Sequence, residues 1–548
     1  MSTVLDAAPG PRTRSAAGRR PSPLWLVLVA TALPMFMATL DNLVMTNALP
    51  VLHAEFGASV EELQWFMNAY TLAFASSILM AVALGDRYGR RTLFLVGIVV
   101  FTLSSAFAAL AADPGQLITA RALQGFGAAA IMPLSLTLLA GNVPVAKRPL
   151  AIGIWGGVAG LGVATGPLIG GAVLEGWAWQ AIFWINVPVG VVSVALALLA
   201  LPNSFGARLR ADVVGLVLSG VGLLALVYGI VRGNEAGWDS LEVLGSLIAG
   251  GVLLAAFVAW ESRATAPLLP LRLFRDRSFS VANLAGFGFS FGAFGSIFIL
   301  IQFLQVVQGA TPLEAALQTS PWTLAPMVVA PLAGFIAPRV GTRALIVSGL
   351  LLLGGALFWL SGLLDASVEY STYIAPFVIA GVGMGLVFAP SSTAVLATMV
   401  PDDHAKASGT NSMLREVGVA LGIAVSTAVF TGAGGELTPT DYAVGAQPAV
   451  LVGAAVLVAS ALVAMLLPAG SRREGRGGVG ACDDGRHGGA DGGGPGRTRR
   501  GRGIRGLSPT HRTRGPSRAL AQGGPRMRRP AVAATRSRRR RRGRRSPR

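Results

Sequence analysis

The sequence predicts an all-α integral membrane protein of about fourteen transmembrane helices, built as two six-helix pseudo-repeats with two further helices inserted between them. Three observations carry that prediction. The 548 residues are 53% hydrophobic and only 13% charged, with a mean hydropathy of +0.61, more apolar surface than a soluble fold can hide. Fourteen apolar runs are long enough to cross a bilayer. Lys and Arg gather in every second loop between them, as retention of cationic loops in the cytoplasm requires.

The runs fall near 24–46, 63–84, 92–112, 117–140, 150–173 and 181–201 in a first block, near 213–231 and 242–260 in an inserted pair, and near 280–305, 320–337, 343–364, 372–398, 413–433 and 447–467 in a second block. The run at 24–46 follows a polar stretch with Arg12, Arg14, Arg19 and Arg20 and is too long for a signal-peptide core, so it reads as a retained span. The segments are therefore 1–23, 24–203, 204–262, a loop at 263–279, 280–468 and a tail at 469–548. Basic loops hold Arg87, Arg90 and Arg91; Lys147 and Arg148; Arg208 and Arg210; Arg263, Arg272, Arg275 and Arg277; Arg339 and Arg343; and Lys406. The loops between hold Glu55, Glu61, Glu62, Asp113, Glu175, Asp365 and Asp441, and a single cation, Arg232. Both termini are expected on the cytoplasmic side of the inner (plasma) membrane.

Asp41 lies in span 1. A lone carboxylate in hydrocarbon is costly, so it is expected to be protonated, paired or facing water, and it is a candidate proton site. Arg121 lies near the start of span 4. A guanidinium keeps its proton, so its expected role is to tune a carboxylate or bind an anion. Span 5 runs from Gly157 to Gly171 with glycine at 157, 160, 162, 166, 170 and 171 and proline at 167. Such glycines let another helix come close, and Pro167 removes a helical donor and bends the span. After span 2 comes Gly85-Asp86-Arg87-Tyr88-Gly89-Arg90-Arg91, and after span 10 comes Pro338-Arg339-Val340-Gly341-Thr342-Arg343. The recurrence of Arg-x-Gly-x-Arg at the same point of each block indicates two related halves, the usual frame for alternating access.

The net charge of +19 and pI near 11.4 do not point to nucleic acid. The tail from Ser471 carries 24 Arg against 4 acidic residues, which leaves the body near neutral. That Gly/Arg-rich tail has no apolar periodicity and is expected to be disordered and incidental to transport. The lone Cys482 lies within it and has no partner. A phosphate-binding glycine loop and a His/Cys/Asp cluster of metal spacing are both missing from the sequence, so neither an ATPase nor a metalloenzyme is expected.

These segments resemble the major facilitator superfamily, and specifically its fourteen-span drug:proton antiporters. Gly85 to Arg91 matches the superfamily's loop motif, the Arg121 segment resembles its span-4 motif, and Gly162, Gly166, Pro167, Gly170 and Gly171 are similar to the antiporter motif of span 5. The likeness extends to Gln64-Trp65, to Ile185-Asn186-Val187-Pro188 and from Gly409 through Arg415 to Gly422. Two departures are Pro338, where a second loop motif would carry Asp, and Gln180, where an Arg is common.

The resemblance implies a proton-coupled exporter of a lipophilic drug, antibiotic or metabolite. Asp41 with Arg121 would be its coupling pair, and the loop Gly85, Asp86, Arg87, Gly89, Arg90 and Arg91 its conformational latch. Candidate cavity residues are Trp65, Tyr70, Gln124, Phe289, Phe294, Phe298 and Arg415. Glu314 and Glu416 fall near span ends in the sequence, so a neutral or monocationic cargo is expected. The implied partners are protons, a small lipophilic substrate and the bilayer, with no cofactor, no metal, no nucleic acid and a monomeric chain. Two rivals stand beside this reading: the same machine moving another cargo, such as a lipid precursor or siderophore, and a sensor or scaffold without net transport.

Overall fold

The computed structural model describes residues 22–144, 147–206, 212–265, 267–399 and 403–468. Most of the predicted N-terminal segment, Arg208 and Arg210, and the tail with Cys482 lie outside the described residues. Fifteen α-helices carry the described chain: α1 (Leu24–Phe56), α2 (Val60–Tyr88), α3 (Arg90–Ala109), α4 (Pro114–Asn142), α5 (Arg148–Gly176), α6 (Ala181–Trp184), α7 (Asn186–Ala200), α8 (Val213–Ala236), α9 (Leu241–Glu261), α10 (Arg277–Val306), α11 (Pro312–Val340), α12 (Thr342–Ser361), α13 (Ser371–Leu396), α14 (His404–Gly432) and α15 (Pro439–Ala464). No strand occurs among the described residues.

Thirteen helical segments are long and apolar enough to cross a membrane, and the bent α5 makes a fourteenth. α6 and α7 together form one of these spans. They part at Ile185 because Pro188, in the first turn of α7, has no N–H to give to the preceding turn and its ring crowds it. The same effect bends α5 by 41° just before Pro167. Four predicted boundaries shift by eight residues or more; two of them are the starts of α11, at Pro312 rather than 320, and of α15, at Pro439 rather than 447. α1 continues ten residues beyond 46, through Pro50, to Gly57 in the left-handed region (φ 62°). α14 begins at His404 rather than 413, so Glu416 sits three turns inside a helix and not near a span end.

The second half repeats the first. α4 packs on α2 and α3, and α13 on α11 and α12; α1 packs on α5, and α10 on α14. Equivalent helices also start and stop alike. α2 opens with a capping box between Ser59 and Glu62, and α11 with one between Thr311 and Glu314. Each ends at a glycine of positive φ, Gly89 (111°) and Gly341 (92°). The glycine of Arg-x-Gly-x-Arg is thus the hinge of a turn that L side chains rarely adopt.

The halves meet along two seams, α5 on α11 and α2 on α14, which the pseudo-repeat exchanges. The inserted α8 and α9 pack on each other, and α8 lies against both α2 and α14. Two ends of the bundle are chemically distinct: an Arg-rich end with the 85–91 loop, and an acidic end with the α1–α2 and α8–α9 turns. The halves close on each other at the acidic end. Gln305 Nε2 donates to Asn47 O at 3.2 Å, and a Cβ on Gly171 would lie 2.7 Å from Leu313 Cα. Toward the Arg-rich end α5 and α11 part. Nothing lies within 4 Å of a Cβ built on Gly153, Gly156, Gly157 or Gly334, and Ile152, Ile154, Val328, Leu332 and Phe335 are exposed.

Candidate functional site: a buried carboxylate and guanidinium in the first half

Asp41 is placed by α1, which packs on α4, α5 and α7, and only 4% of it is exposed. Arg121 is placed by α4. One turn later Gly125 lets α4 lie directly on the α2 backbone at Tyr70, which brings the guanidinium to the α2 carbonyls. Arg121 is fully buried and donates from Nη1 to Asp41 Oδ2 at 2.5 Å and from Nε to Phe66 O at 3.0 Å. Its plane lies over the Tyr70 ring, 4.5 Å from the centroid.

The other carboxylate oxygen is held by neutral amides. Asn186 Nδ2 donates to Asp41 Oδ1 at 2.6 Å, and Gln124 Nε2 donates to it at 3.2 Å. Gln124 is fixed in turn, since its Oε1 accepts from Arg121 Nη1 at 2.9 Å and its Nε2 donates to Ser105 Oγ at 2.8 Å. Four helices, α1, α3, α4 and α7, thus converge on one carboxylate. Both carboxylate oxygens are bonded, while Arg121 Nη2 and Asn186 Oδ1 are buried without a hydrogen-bond partner; the removal of two charges from water is offset by the close ion pair and the amide donors. Asn186 and Ser105 are the members that sequence reasoning missed. The signal for Asn186 was its position at the helix break before Pro188; Ser105 carried none.

The glycine motif serves α1. A Cβ on Gly162, Gly166 or Gly170 would meet Phe36 O at 3.2 Å, Leu43 Cβ at 2.9 Å or Val44 Cγ1 at 2.9 Å, so α5 lies flush against the helix that carries Asp41. Gly171 turns instead to α11 of the other half. Asn47 Nδ2 donates to Pro167 O at 2.8 Å, tying the bend of α5 to α1.

The Arg-rich loop is knitted to its own half. Arg90 Nε donates to Asp86 Oδ1 at 2.7 Å, Gly206 N to Asp86 O at 3.0 Å and Arg90 N to Ser204 O at 2.8 Å. Arg91 Nη1 donates to Leu201 O at 3.0 Å, and Arg87 lies over the Tyr88 ring. Gly85 lets the end of α2 approach Leu134 of α4.

Phe294 and Phe298 line a narrow gap between the halves, with Asn42 and Thr46 of α1, Met67 of α2 and Val419 of α14. The other five cavity candidates lie away from this gap. Tyr70 and Gln124 are buried inside the first half as parts of the Asp41 network. Trp65 leans on Tyr228 of the inserted α8, with ring centroids 6.3 Å apart. Phe289 is buried edge-on against Phe388 in the second half. Arg415 stacks on that same Phe388 ring at 4.1 Å, and its Nε has no hydrogen-bond partner.

A family model described as Major Facilitator Superfamily matches residues 31–422 and 282–482. The chain belongs to the Major Facilitator Superfamily. Among its relatives is the multidrug resistance protein Stp of Mycobacterium tuberculosis (strain CDC 1551 / Oshkosh), 36% identical over 73% of this chain and 74% of that protein. The tetracenomycin C resistance and export protein of Streptomyces glaucescens is 34% identical over 82% of this chain and 84% of its own length. The cephamycin export protein CmcT of Amycolatopsis lactamdurans is 36% identical over 82% and 93%. Among solved structures, the POT family transporter PepTSo superposes with a TM-score of 0.62 at 15% identity, over 82% of this chain and 98% of that one. That likeness establishes the shared superfamily fold. Within it, the Asp41 cluster is the chemistry particular to the first half of this chain.

Proposed function

We propose that this superfamily member exports a lipophilic drug, antibiotic or metabolite across the plasma membrane in exchange for protons, as a monomer, with its Arg-rich end in the cytoplasm. The observation that carries the proposal is the placement of Asp41. Both oxygens of the buried carboxylate are hydrogen-bonded, and the next residue, Asn42, faces the gap between the halves with its Oδ1 unpartnered. A proton reaching Asp41 would compete with Arg121 and Asn186 for the same oxygens and loosen the α1–α4–α7 contact. The cluster then converts protonation into a change in helix packing beside the gap. The relatives named for antibiotic and multidrug resistance support the cargo class, and the proton gradient takes the place of a cofactor.

The test is uptake of ethidium into inverted membrane vesicles energised by a pH gradient. The wild type is expected to accumulate the dye, and Asp41→Asn, which keeps the size but cannot carry the proton, to lose uphill accumulation while retaining downhill exchange. Uphill pumping by the Asn variant at the wild-type rate removes Asp41 from the mechanism.

A further inference from the structure

The inserted pair is fastened to both halves at the acidic end by two unlike sets of bonds. Along the membrane, Leu223, Val227 and Val231 of α8 join one apolar cluster with Leu72 and Ala75 of α2 and Val417, Ala420 and Ala424 of α14. α8 therefore fills the outer face of the α2–α14 seam. Toward the first half the fastening is ionic. Arg232 Nη1 reaches Glu61 Oε2 of α2 at 3.1 Å and Glu235 at 2.8 Å, and its Nε reaches Glu242 of α9 at 3.1 Å. Tyr228 OH donates to Glu242 at 2.6 Å, and Trp65 of α2 packs on the Tyr228 ring.

Toward the second half the fastening is one neutral amide. Asn234 Nδ2 donates to Ala428 O in the last turn of α14 and to Thr431 Oγ1 at 2.6 Å. Trp238 Nε1 donates to Asn234 Oδ1 at 2.7 Å. Because the indole can only donate, it fixes which end of the amide points at α14.

We infer that Asn234 is a positioning residue for transport: it bolts the acidic end of α14 to an α8 anchored on α2, and so holds that end of the α2–α14 seam shut. The inference rests on the alternating-access reading above, in which this seam must part at the acidic end to release cargo. When it parts, the Arg232–Glu61 ion pair with the Trp65–Tyr228 ring contact holds α8 to the first half, and the two neutral hydrogen bonds of Asn234 hold it to the second. A charge-assisted bond is roughly twice as strong as a neutral one, so the ion pair alone balances the two bonds of Asn234 and the Trp65–Tyr228 contact tips α8 toward the first half. Neither bond of Asn234 involves a titratable group, so its effect on the equilibrium is independent of pH.

The experiment uses the full chain with Cys482→Ser, spin-labelled at Glu55→Cys and Glu436→Cys, two exposed positions at the acidic end on opposite halves, and reads their distance distribution in liposomes. In the parent the long, open-seam distance is expected to gain population when the lumen bathing this end is acidified or ethidium is added. Asn234→Ala should raise the ratio of open to closed by about tenfold at every pH, a shift of about 1.4 kcal/mol for two net hydrogen bonds. Trp238→Phe, which only releases the amide's orientation, should shift it the same way by a smaller factor. Ethidium transport by Asn234→Ala should change in KM more than in the maximal rate. An unchanged distance ratio in Asn234→Ala, with the parent opening normally, overturns the role of Asn234 and leaves the transport reading intact. A parent that never opens at this end under either condition overturns both.

Discussion

The two halves share a scaffold and differ in how they treat a buried acid. In the first, Asp41 meets Arg121, Asn186 and Gln124, and both of its oxygens are bonded. In the second, Arg415 and Glu416 are neighbours on α14, yet Arg415 turns to the Phe388 ring and Glu416 Oε2 finds no partner. Repeated helix pairs, capping boxes and hinge glycines therefore transmit architecture without transmitting chemistry. Glycines press α5 against α1 and α14 against α10 alike, but only in the first half are both oxygens of a buried acid bonded, and there we propose that a proton is exchanged for a packing change.

The contrast can be broken most severely at Arg121. Arg121→Ala leaves Asp41 buried without its cation and is expected to destabilise the protein by about 3–5 kcal/mol, read as a lower midpoint of thermal unfolding in detergent. Arg121→Ala combined with Asp41→Asn should recover much of that loss, and a double variant no more stable than the single one would show that the pair is not coupled. Gly166→Leu comes next, because its side chain would enter the space of Leu43 on α1. Over-packing of this kind is worth about 1–3 kcal/mol, and transport should fall more than stability because the α1–α5 contact is lost. Asn186→Ala removes one donor from Asp41 and is expected to destabilise by about 1–3 kcal/mol, with the proton dependence of efflux displaced while efflux persists. The smallest effect should be in the second half: Glu416→Gln, which removes an acid with an unpartnered oxygen, should change stability by about 1 kcal/mol or less and leave uphill efflux in place. Collapse of pumping in that variant would erase the contrast between the halves.

Much of the fold was legible because hydrocarbon imposes a simple rule on composition, and the alternation of Arg87, Lys147, Arg263, Arg339 and Lys406 with Glu61, Asp113 and Asp365 left little freedom for a missed span. Asp41 and Arg121 were legible for the same reason, as ionisable groups where few are tolerated. Asn186 and Ser105 were not. Neutral polar residues are common in such helices, and their importance comes from partners 145 and 19 residues away in the chain. Glu416 was misplaced because the polar turns from Lys406 to Ser412 lower the hydropathy. They are helical all the same, packed among α2 and α10 at the seam, where Gly409 faces Leu79 and Asn411 bonds Asn283 at 3.1 Å. Trp65 was a cavity candidate because an apolar cavity is expected to have aromatic faces, and residue type does not say which helix a ring leans on; here that is α8.

We propose that the Asp41 carboxyl is where proton movement becomes solute movement. The decisive measurement uses purified protein in liposomes holding a pH-sensitive dye, loading ethidium against its gradient under an imposed ΔpH. The wild type is expected to carry protons one way as the dye accumulates the other way, and Asp41→Asn to show neither while still equilibrating ethidium across the membrane. Wild-type accumulation that survives full collapse of ΔpH and voltage, or proton flux undiminished in Asp41→Asn, would contradict it.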